Sequence, residues 1–404
     1  MLLELLLKQL MKKGTLNVID HRGKLKTFGN NQGPSVTIRL HNRSVSRKIA
    51  LNPRLAVGEA YMDGSLTVED GGSIYDFLDL TGSNLHVLDE LTIVRIRNWL
   101  SGWTRPLQQH NPLGVARKNV AHHYDLSDDL FDLFLDSDRQ YSCGYFDSQN
   151  STLEQAQKAK KRHLASKLIL DKPGLKTLDI GSGWGGLGIY LHQETGANVT
   201  GLTLSKEQQK YAEKRTQDLQ IQGDVRFLLQ DYRRETNLYD RIVSVGMFEH
   251  VGIKHYGEFF NKVGSLLKDD GVAVIHTIAR WDGPSVTNPW LRKYIFPGGY
   301  CPSMSEIFSA IEKTGLKVLD TEMLRLHYAD TLRHWSRNFA YNRNKIKEIY
   351  DERFCKMWEF YLAGSEIAFR RQDHMIAQLQ IAWDQEAAPL TRDYMVEWEK
   401  NHQI

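Results

Sequence analysis

The chain has little cysteine, no excess of either charge and no long apolar run, and these absences narrow its class. Its three cysteines, Cys143, Cys301 and Cys355, are widely spaced and odd in number, which fits neither a disulfide framework nor a zinc site. The 52 Lys and Arg residues nearly balance the 49 Asp and Glu residues, so no global field favours nucleic acid. We therefore expect a protein of a reducing compartment, the cytoplasm, without a metal site.

The first residues are apolar but too interrupted for a leader or a membrane span. Glu4 and Lys8 break the run of leucines, and neither a basic n-region nor a small-residue cleavage site is present. Leu3, Leu6 and Leu7 fall on one helical face. This pattern favours a helix packed on its own domain over a helix that lies on a membrane surface.

With 404 residues the chain exceeds the usual size of one domain, so two domains are expected. Residues 1–105 show short alternating runs separated by glycine and proline turns, followed by helical periodicity, which predicts a small α+β domain. A polar stretch with two prolines makes residues 106–120 the candidate linker. Residues 121–404 then form a second, larger domain.

Apolar runs alternate with helical segments in the second domain. Strands are predicted at 175–181, 197–204, 225–230, 239–246 and 271–279, and residues 328–383 are predicted to be helical. The alternation predicts an α/β, Rossmann-like fold with a mostly parallel sheet and helices on both faces. In such sheets, ligands bind beyond the carboxyl ends of the strands.

The segment 178–186, Leu-Asp-Ile-Gly-Ser-Gly-Trp-Gly-Gly, ends a predicted strand in glycines and opens a helix. Glycines there let a ligand approach bare backbone at a helix N-terminus, which is typical of nucleotide binding. An NAD site requires a carboxylate at the end of the second strand, but Thr203 and Ser205 occupy that place and the first acid, Glu207, lies within the next helix. The pattern favours S-adenosylmethionine over NAD, with a ligand-free turn as a third alternative.

Polar side chains follow the other predicted strands. Asp231 and Tyr232 end the third strand, Glu249 follows the fourth, and His276 lies within the fifth. A lone Asp231 is as often a turn residue, and a lone His276 in an apolar strand is more often a core histidine. Their convergence on one edge of the sheet favours a binding site.

An aromatic-rich insertion follows the fifth strand at residues 280–301. Its composition fits equally a cap over the sheet edge and a hydrophobic lid over an apolar substrate.

Five motifs are distributed along the second domain. They are the glycine segment 178–186 and the segments 141–146 (Tyr-Ser-Cys-Gly-Tyr-Phe), 244–252 (Ser-Val-Gly-Met-Phe-Glu-His-Val-Gly), 290–300 (Trp-Leu-Arg-Lys-Tyr-Ile-Phe-Pro-Gly-Gly-Tyr) and 327–332 (His-Tyr-Ala-Asp-Thr-Leu). Together and in their order along the chain, they resemble the cyclopropane-fatty-acyl-phospholipid synthases from about residue 118 onward. The resemblance implies an S-adenosylmethionine-dependent methyltransferase domain. Its substrate would be a cis double bond in an acyl chain of a membrane phospholipid.

The resemblance also implies the site residues. Tyr141 and Ser142 would hold the methionine end of S-adenosylmethionine, and Gly181 and Gly183 would let it lie against the backbone. Thr203 and Gln208 would hold its ribose, and Asp231 and Tyr232 its adenine. A bicarbonate ion beside the transferred methyl would be held by Cys143, Glu249, His276, Tyr328 and the main chain of Ile278. Ser182 departs from the family motif, which has cysteine there, and we expect only local packing to differ.

On this resemblance the protein closes a cyclopropane ring, docks peripherally on the inner membrane through its N-terminal domain among other parts, and leaves S-adenosylhomocysteine. A methyltransferase that stops at a methyl-branched lipid, an amine methyltransferase and a lipid-binding module without turnover are the alternatives. The sequence leaves open whether the chain forms a homodimer.

Overall fold

The computed structural model describes residues 2–85 and 127–402, so the predicted linker 106–120 lies outside the described residues. The chain divides into two compact units. The first unit comprises Met1–Leu107, Val286–Pro297 and Leu332–Asp373, and the second comprises Gln108–Ser285, Gly298–Thr331 and His374–Ile404. The first unit thus combines the N-terminal region with two segments from later in the chain.

The N-terminal part of the first unit is α+β, as predicted. Its helices are α1 (Leu2–Leu10), α2 (Arg43–Leu51), α3 (Pro53–Met62) and α4 (Ile74–Gly82), and its strands are β1 (Thr15–Ile19), β2 (Leu25–Gly29), β3 (Ser35–Leu40) and β4 (Leu66–Val68). The strand order is β2-β1-β3-β4, with β1 and β3 parallel and the other pairs antiparallel. In α1, Leu7 and Leu10 are buried in the core of this unit, so the leucine face packs on its own domain.

Segment 286–297 of the aromatic insertion is part of the first unit. The indole of Trp290, which lies in α10 (Pro289–Tyr294), is 1% exposed and donates a hydrogen bond to the Met62 sulfur (3.3 Å). Lys293 Nζ lies 2.6 Å from Glu59 Oε1, and Tyr294 donates to the same oxygen. Within this unit, Trp290 is therefore a core residue. The composition of the insertion had suggested a cap over the sheet edge or a lid over the substrate, and Trp290 has neither role in this packing.

The later helices of the first unit are α12 (His327–Tyr341), which begins in the second unit, α13 (Arg343–Ile349) and α14 (Glu352–Arg371). Basic side chains on them make ion pairs within the unit. Arg333 and Arg370 both contact Glu366, at 2.9 Å and 2.7 Å, and Arg371 lies 2.8 Å from Asp79. These arginines stabilise the unit and are not free charges.

The second unit has a seven-stranded sheet of order β10-β11-β9-β8-β5-β6-β7, in which β9, β8, β5, β6 and β7 are parallel. Its strands are β5 (Lys176–Ile180), β6 (Asn198–Thr203), β7 (Val225–Leu229), β8 (Tyr239–Val245), β9 (Leu267–Arg280), β10 (Lys317–Met323) and β11 (His374–Ala382). Its helices are α5 (Asp128–Phe134), α6 (Leu153–Leu168), α7 (Gly186–Thr195), α8 (Lys206–Asp218), α9 (Tyr256–Leu266), α11 (Met304–Ile311) and α15 (Asp393–Asn401). The mostly parallel α/β fold is confirmed.

The helical prediction for residues 328–383 is wrong at its C-terminal end, because His374–Ala382 form β11. This strand pairs antiparallel with β9 on one edge and β10 on the other, and Met375–Ala382 are all buried, so both of its faces are covered. A strand buried on both faces has no simple alternation of apolar and polar residues, and Gln378 and Gln380 obscured it further. Strand β10 was not predicted either.

Gly58 in α3 provides a test of the Trp290 packing. A Cβ at Gly58 would lie 2.5 Å from Trp290 Nε1 and 2.9 Å from a ring carbon of Phe360, so Gly58→Ala overpacks the core. We expect the free energy of unfolding to fall by about 1–3 kcal/mol. Gly257→Ala, in the first turn of α9 with no atom within 4 Å of the added carbon, is the control. Equal urea midpoints for the two variants would contradict this packing.

Candidate active site

The carboxyl ends of β5, β6 and β8 surround a cavity in the second unit. At the end of β5, Gly181, Gly183 and Gly185 all have positive φ, at 86°, 54° and 84°, which glycine adopts without strain. The amides of Gly181 and Ser182 donate to Leu202 O at 2.9 Å and 3.0 Å, so the turn is fixed on the neighbouring strand. A Cβ at Gly183 would meet no protein atom within 4 Å. The turn therefore leaves space at this residue.

All eight residues predicted to bind the methyl donor line this one cavity. They are Tyr141, Ser142, Gly181, Gly183, Thr203, Gln208, Asp231 and Tyr232. Thr203 at the end of β6 donates from its hydroxyl to Gln208 Oε1 (2.9 Å). The structure brings these residues together, and the contact that each makes with the donor stays a prediction. Ser182 lines the cavity as well, and its hydroxyl is buried without a partner in the described structure.

Arg233 is a cavity residue that the sequence reasoning missed. Its guanidinium donates to both carboxylate oxygens of Asp231, Nε at 2.9 Å and one terminal nitrogen at 2.7 Å. Asp231 also accepts from the Arg233 amide (3.0 Å) and begins a single 3-10 turn, Tyr232–Arg234. This pairing fixes the Asp231 carboxylate on the cavity wall. An acid and an arginine two residues apart at a strand end were the visible signal.

The loop that carries Tyr141 and Ser142 is held from behind by α6. Gln157 donates to Ser142 O (2.9 Å), and Lys160 donates to Ser142 Oγ (2.8 Å) and to Gln140 Oε1 (2.5 Å). Burial lowers the pKa of Lys160 to about 8. A buried cation thus lies beside the loop predicted to bind the methionine end, and no sequence motif indicated it.

Asp179, one residue before the end of β5, was quoted in the glycine motif but given no role. It lines the cavity, and its Oδ2 is buried with no hydrogen-bond partner among the described residues. Burial raises the pKa of this carboxyl to about 7. His250 also lines the cavity, and burial lowers its pKa to about 4. Both groups are ionisable and shielded from water, which is typical of functional sites.

Glu249 and His276 each have a buried polar side-chain atom without a partner among the described residues, and the backbone of each adjoins the cavity wall. Glu249 belongs to the 3-10 turn Phe248–His250, between cavity residues Met247 and His250. The cavity residue Gly246 donates its amide to His276 O (2.9 Å). The two side chains predicted to hold an anion are thus attached through the backbone to the cavity wall.

Glu249 uses only one of its oxygens inside the protein. Its Oε1 accepts from the Ile278 amide (2.5 Å), and its Oε2 is buried without a partner in the part of the chain that is described. Burial raises the pKa of this carboxyl to about 6, and the Ile278 hydrogen bond opposes that rise. The amide of Ile278 is therefore occupied by Glu249. A partly protonated carboxyl with one free oxygen is suited to share a hydrogen bond with a small oxyanion.

The remaining predicted anion ligands lie near the start of α12. Gly144, next to Cys143, donates its amide to Thr331 Oγ1 (3.0 Å), and Thr331 is three residues after the half-buried Tyr328. Cys143 is fully buried, and burial raises the pKa of its thiol, so it is a neutral group and not a thiolate nucleophile. This chemistry is compatible with a small hydrogen-bonded anion, and its identity as bicarbonate stays a prediction.

Comparison with known proteins decides which family this site belongs to. A family model described as mycolic acid cyclopropane synthetase matches residues 113–379, which contain every predicted site residue. The chain belongs to the mycolic acid cyclopropane synthetase family. A second model, described as a domain of unknown function (DUF7884), matches residues 3–85 of the first unit.

Curated relatives extend the match across both units. The cyclopropane-fatty-acyl-phospholipid synthase of Escherichia coli is 37% identical over 346 residues, which cover 85% of this chain and 86% of the relative. A probable fatty acid methyltransferase of Pseudomonas putida is 34% identical and covers 86% and 88%. The tuberculostearic acid methyltransferase UfaA1 of Mycobacterium tuberculosis is 35% identical and covers 81% and 78%.

Solved structures agree for the synthetase region. The cyclopropane synthase MmaA2 from Mycobacterium tuberculosis superposes with a TM-score of 0.63 at 34% identity, over 67% of this chain and 99% of that chain. The mycolic acid cyclopropane synthase CmaA1, complexed with S-adenosylhomocysteine and CTAB, gives 0.62 at 34% identity, with the same coverage. This member of the family is therefore an S-adenosylmethionine-dependent methyltransferase, as its motifs implied.

Gly183 tests whether the donor lies in this cavity. In Gly183→Ala the methyl group projects where no protein atom lies within 4 Å, so we expect it to displace the ligand and weaken S-adenosylmethionine binding at least about tenfold. Gly174→Ala is the matched control, because it also has positive φ (79°) and open space but does not line the cavity. Both substitutions cost about 1–2 kcal/mol of backbone strain. If calorimetry shows that the two variants lose the same affinity for S-adenosylmethionine, the donor does not bind at Gly183.

Proposed function

We propose that the protein transfers the methyl carbon of S-adenosylmethionine to a cis double bond in an unsaturated acyl chain of a membrane phospholipid and closes a cyclopropane ring. The supporting observation is the pair of partnerless buried atoms, Glu249 Oε2 and His276 Nε2, on residues whose backbone adjoins the cavity lined by the predicted donor ligands. The match to a phospholipid synthase over 85% of the chain, first unit included, supports a phospholipid substrate.

The chemistry requires a proton acceptor as well as a methyl donor. S-Adenosylmethionine supplies a sulfonium methyl, and attack by the alkene on that carbon leaves a carbocation on the acyl chain. An isolated alkene is a weak nucleophile, so proximity and exclusion of water carry much of the rate. Ring closure then needs one proton to leave the transferred methyl as the third ring bond forms. The cavity residues Tyr141, Ser142 and Gly183 would orient the donor for this reaction.

Bicarbonate, when bound, supplies an oxygen base for that proton. The protein would hold it through the free oxygen of Glu249, the free nitrogen of His276, the hydroxyl of Tyr328 and the neutral thiol of Cys143. Because the Ile278 amide already donates to Glu249, Ile278 would act chiefly by fixing that carboxyl. Glu249 and His276 thus orient the base and do not themselves face the electrophile as free nucleophiles.

A lipid methyltransferase that ends at a branched product is the second candidate. Relatives named as a probable fatty acid methyltransferase and a tuberculostearic acid methyltransferase are 34% and 35% identical, close to the 37% of the phospholipid synthase. These similarities do not separate the two outcomes, because both begin with the same methyl transfer. The partnerless Glu249 and His276 atoms provide a place for the proton acceptor that ring closure requires. A methylene product also requires loss of a proton, so identification of the product decides between the two.

The deciding experiment incubates the protein with vesicles of an unsaturated phospholipid and labelled S-adenosylmethionine. We expect a lipid heavier by one CH2 whose proton spectrum shows ring protons and no olefinic pair. A methyl-branched or methylene product would overturn ring closure while leaving methyl transfer intact.

We also propose peripheral docking on the inner membrane, so turnover should be faster on anionic than on neutral vesicles and should fall with salt. Equal turnover on neutral vesicles at high salt would contradict that docking.

Glu249→Gln tests the anion site. Glutamine keeps an oxygen for the Ile278 amide but replaces the free Oε2 by an NH2 group, so we expect turnover to fall at least about 100-fold with unchanged donor affinity. Glu235→Gln is the control, because Glu235 is also buried in the second unit and both of its oxygens have protein partners, and Glu235 itself does not line the cavity. Near-normal turnover in Glu249→Gln would remove Glu249 from the mechanism.

A further inference from the structure

Strand β11 places Gln378 directly opposite His276 on β9, and the two residues are register partners. Both side chains are 1% exposed. Gln378 Nε2 lies 3.1 Å from His276 Nδ1, which is a hydrogen bond whose donor depends on the orientation of the amide and on the histidine tautomer. A third residue determines both the amide orientation and the histidine tautomer.

Lys167 on α6 decides which end of the Gln378 amide faces the histidine. Lys167 Nζ lies 2.5 Å from Gln378 Oε1 and also contacts Glu322. An ammonium group has three donors and no acceptor, so it must meet the oxygen of the amide and not its NH2. The NH2 of Gln378 then points at His276. Because an amide NH2 can only donate, His276 Nδ1 must be the acceptor.

This assignment fixes the proton of the imidazole. A neutral histidine has one N–H, and if Nδ1 accepts, the hydrogen is on Nε2. His276 is neutral, since burial and the nearby positive charges of Lys160 and Lys167 hold its pKa well below the usual range. Nε2 is also the ring atom that is buried without a partner among the described residues. The ring therefore has an unused N–H donor, and its strand is hydrogen-bonded to the cavity residue Gly246.

We propose that Lys167 and Gln378 are positioning residues that hold His276 as its Nε2–H tautomer, so that His276 donates a hydrogen bond to an anion and does not accept a proton. This inference rests on the proposed function in one respect, namely that the anion is bicarbonate. It adds two residues to the site that no sequence motif indicated.

Burial lowers the pKa of Lys167, and the carboxylate of Glu322 opposes that shift. His163 on α6 contacts Glu322 through Nε2 (2.7 Å) and Glu399 through Nδ1 (2.6 Å), and these two bonds raise its pKa. The positive charges of Lys167 and His163 thus meet the negative charges of Glu322 and Glu399. Glu322 is held by both cations, and its pKa is lowered. A balanced cluster lets the ammonium remain buried at 2% exposure.

The same cluster does not serve as a proton exit from His276. A chain of hydrogen bonds does run from His276 through Gln378 and Lys167 to the partly exposed Glu322. However, an amide passes a proton on only if it loses an N–H proton and gains a proton on its oxygen. The oxygen of Gln378 already accepts a hydrogen bond from the Lys167 ammonium. Gln378 therefore interrupts any relay, and the proton taken from the substrate must leave by another route.

The unmodified protein gives the first test. With the histidine rings labelled with nitrogen-15, spectra that correlate ring nitrogens with ring carbon-bound protons separate the two tautomers, and His276→Asn identifies the resonances among fifteen histidines. We expect an unprotonated Nδ1 and a protonated Nε2 across the neutral pH range. A protonated Nδ1, or a doubly protonated ring, would overturn the proposal without any measurement of activity.

Gln378→Glu gives the second test, because a carboxylate can only accept at the Lys167 end and at the His276 end. We expect the ring to move its proton to Nδ1 or to become doubly protonated, and kcat to fall at least about tenfold with donor affinity unchanged. Gln380→Glu is the matched control, because Gln380 lies two residues further along the same face of β11 and is also buried, at 2% exposure. Gln380 donates a hydrogen bond to Lys167 O (2.7 Å) but does not contact His276. An unaltered His276 spectrum in Gln378→Glu would overturn the proposal.

The two proposals fail in different ways. If the labelled lipid contains no ring but His276 shows the Nε2–H tautomer, the proposed function is wrong and the positioning role stands. If the ring forms and His276 shows Nδ1–H, the function stands and the positioning role is wrong. Should Gln378→Glu not fold, the spectrum of the unmodified protein decides alone.

Discussion

The pairing of β9 with its two neighbours is the constraint on which the candidate site depends. On one side, β8 is parallel to β9, and the hydrogen bond from Gly246 to His276 O connects the cavity wall with the histidine strand. On the other side, β11 is antiparallel and brings Gln378 opposite His276. A shift of either register by one residue would turn His276 to the other face of the sheet. The chemistry at the cavity thus rests on backbone pairing of buried strands.

Helix α6 supports this arrangement from one face of the sheet with two buried lysines that have different tasks. Lys160 contacts the loop of Ser142, and Lys167 contacts Gln378 and Glu322. Burying an ammonium is costly unless acceptors surround it, so both positions demand the specific partners that the structure provides. From sequence these lysines look like the solvated face of an ordinary amphipathic helix. Their function emerges only when the helix is seen against the sheet.

Much of the second unit could be predicted from its sequence, because parallel strands and helices alternate with clear periodicity. The glycine turn at 181–186 and the strand-end residues Asp231 and Glu249 were visible as polar breaks after apolar runs. The residues of β11 were not, since a strand covered on both faces shows neither helical nor alternating periodicity. Gln378 and Lys167 were missed for a different reason. Their meaning depends on a contact between positions 211 residues apart, which no local pattern records.

The first unit is assembled from three stretches of chain, and this has a consequence for biosynthesis. Tyr61 donates to Glu359 across 298 residues of sequence, and Trp290 fills the space beside Gly58 and Phe360. Because the ribosome synthesises α3 and α4 long before α14, their apolar faces remain uncovered until α14 has been made. The second unit cannot be completed earlier, because β11 follows α14. Neither unit can therefore complete its native packing until α14 has been synthesised. Before that point, apolar surface of the first unit is exposed and available for chaperone binding.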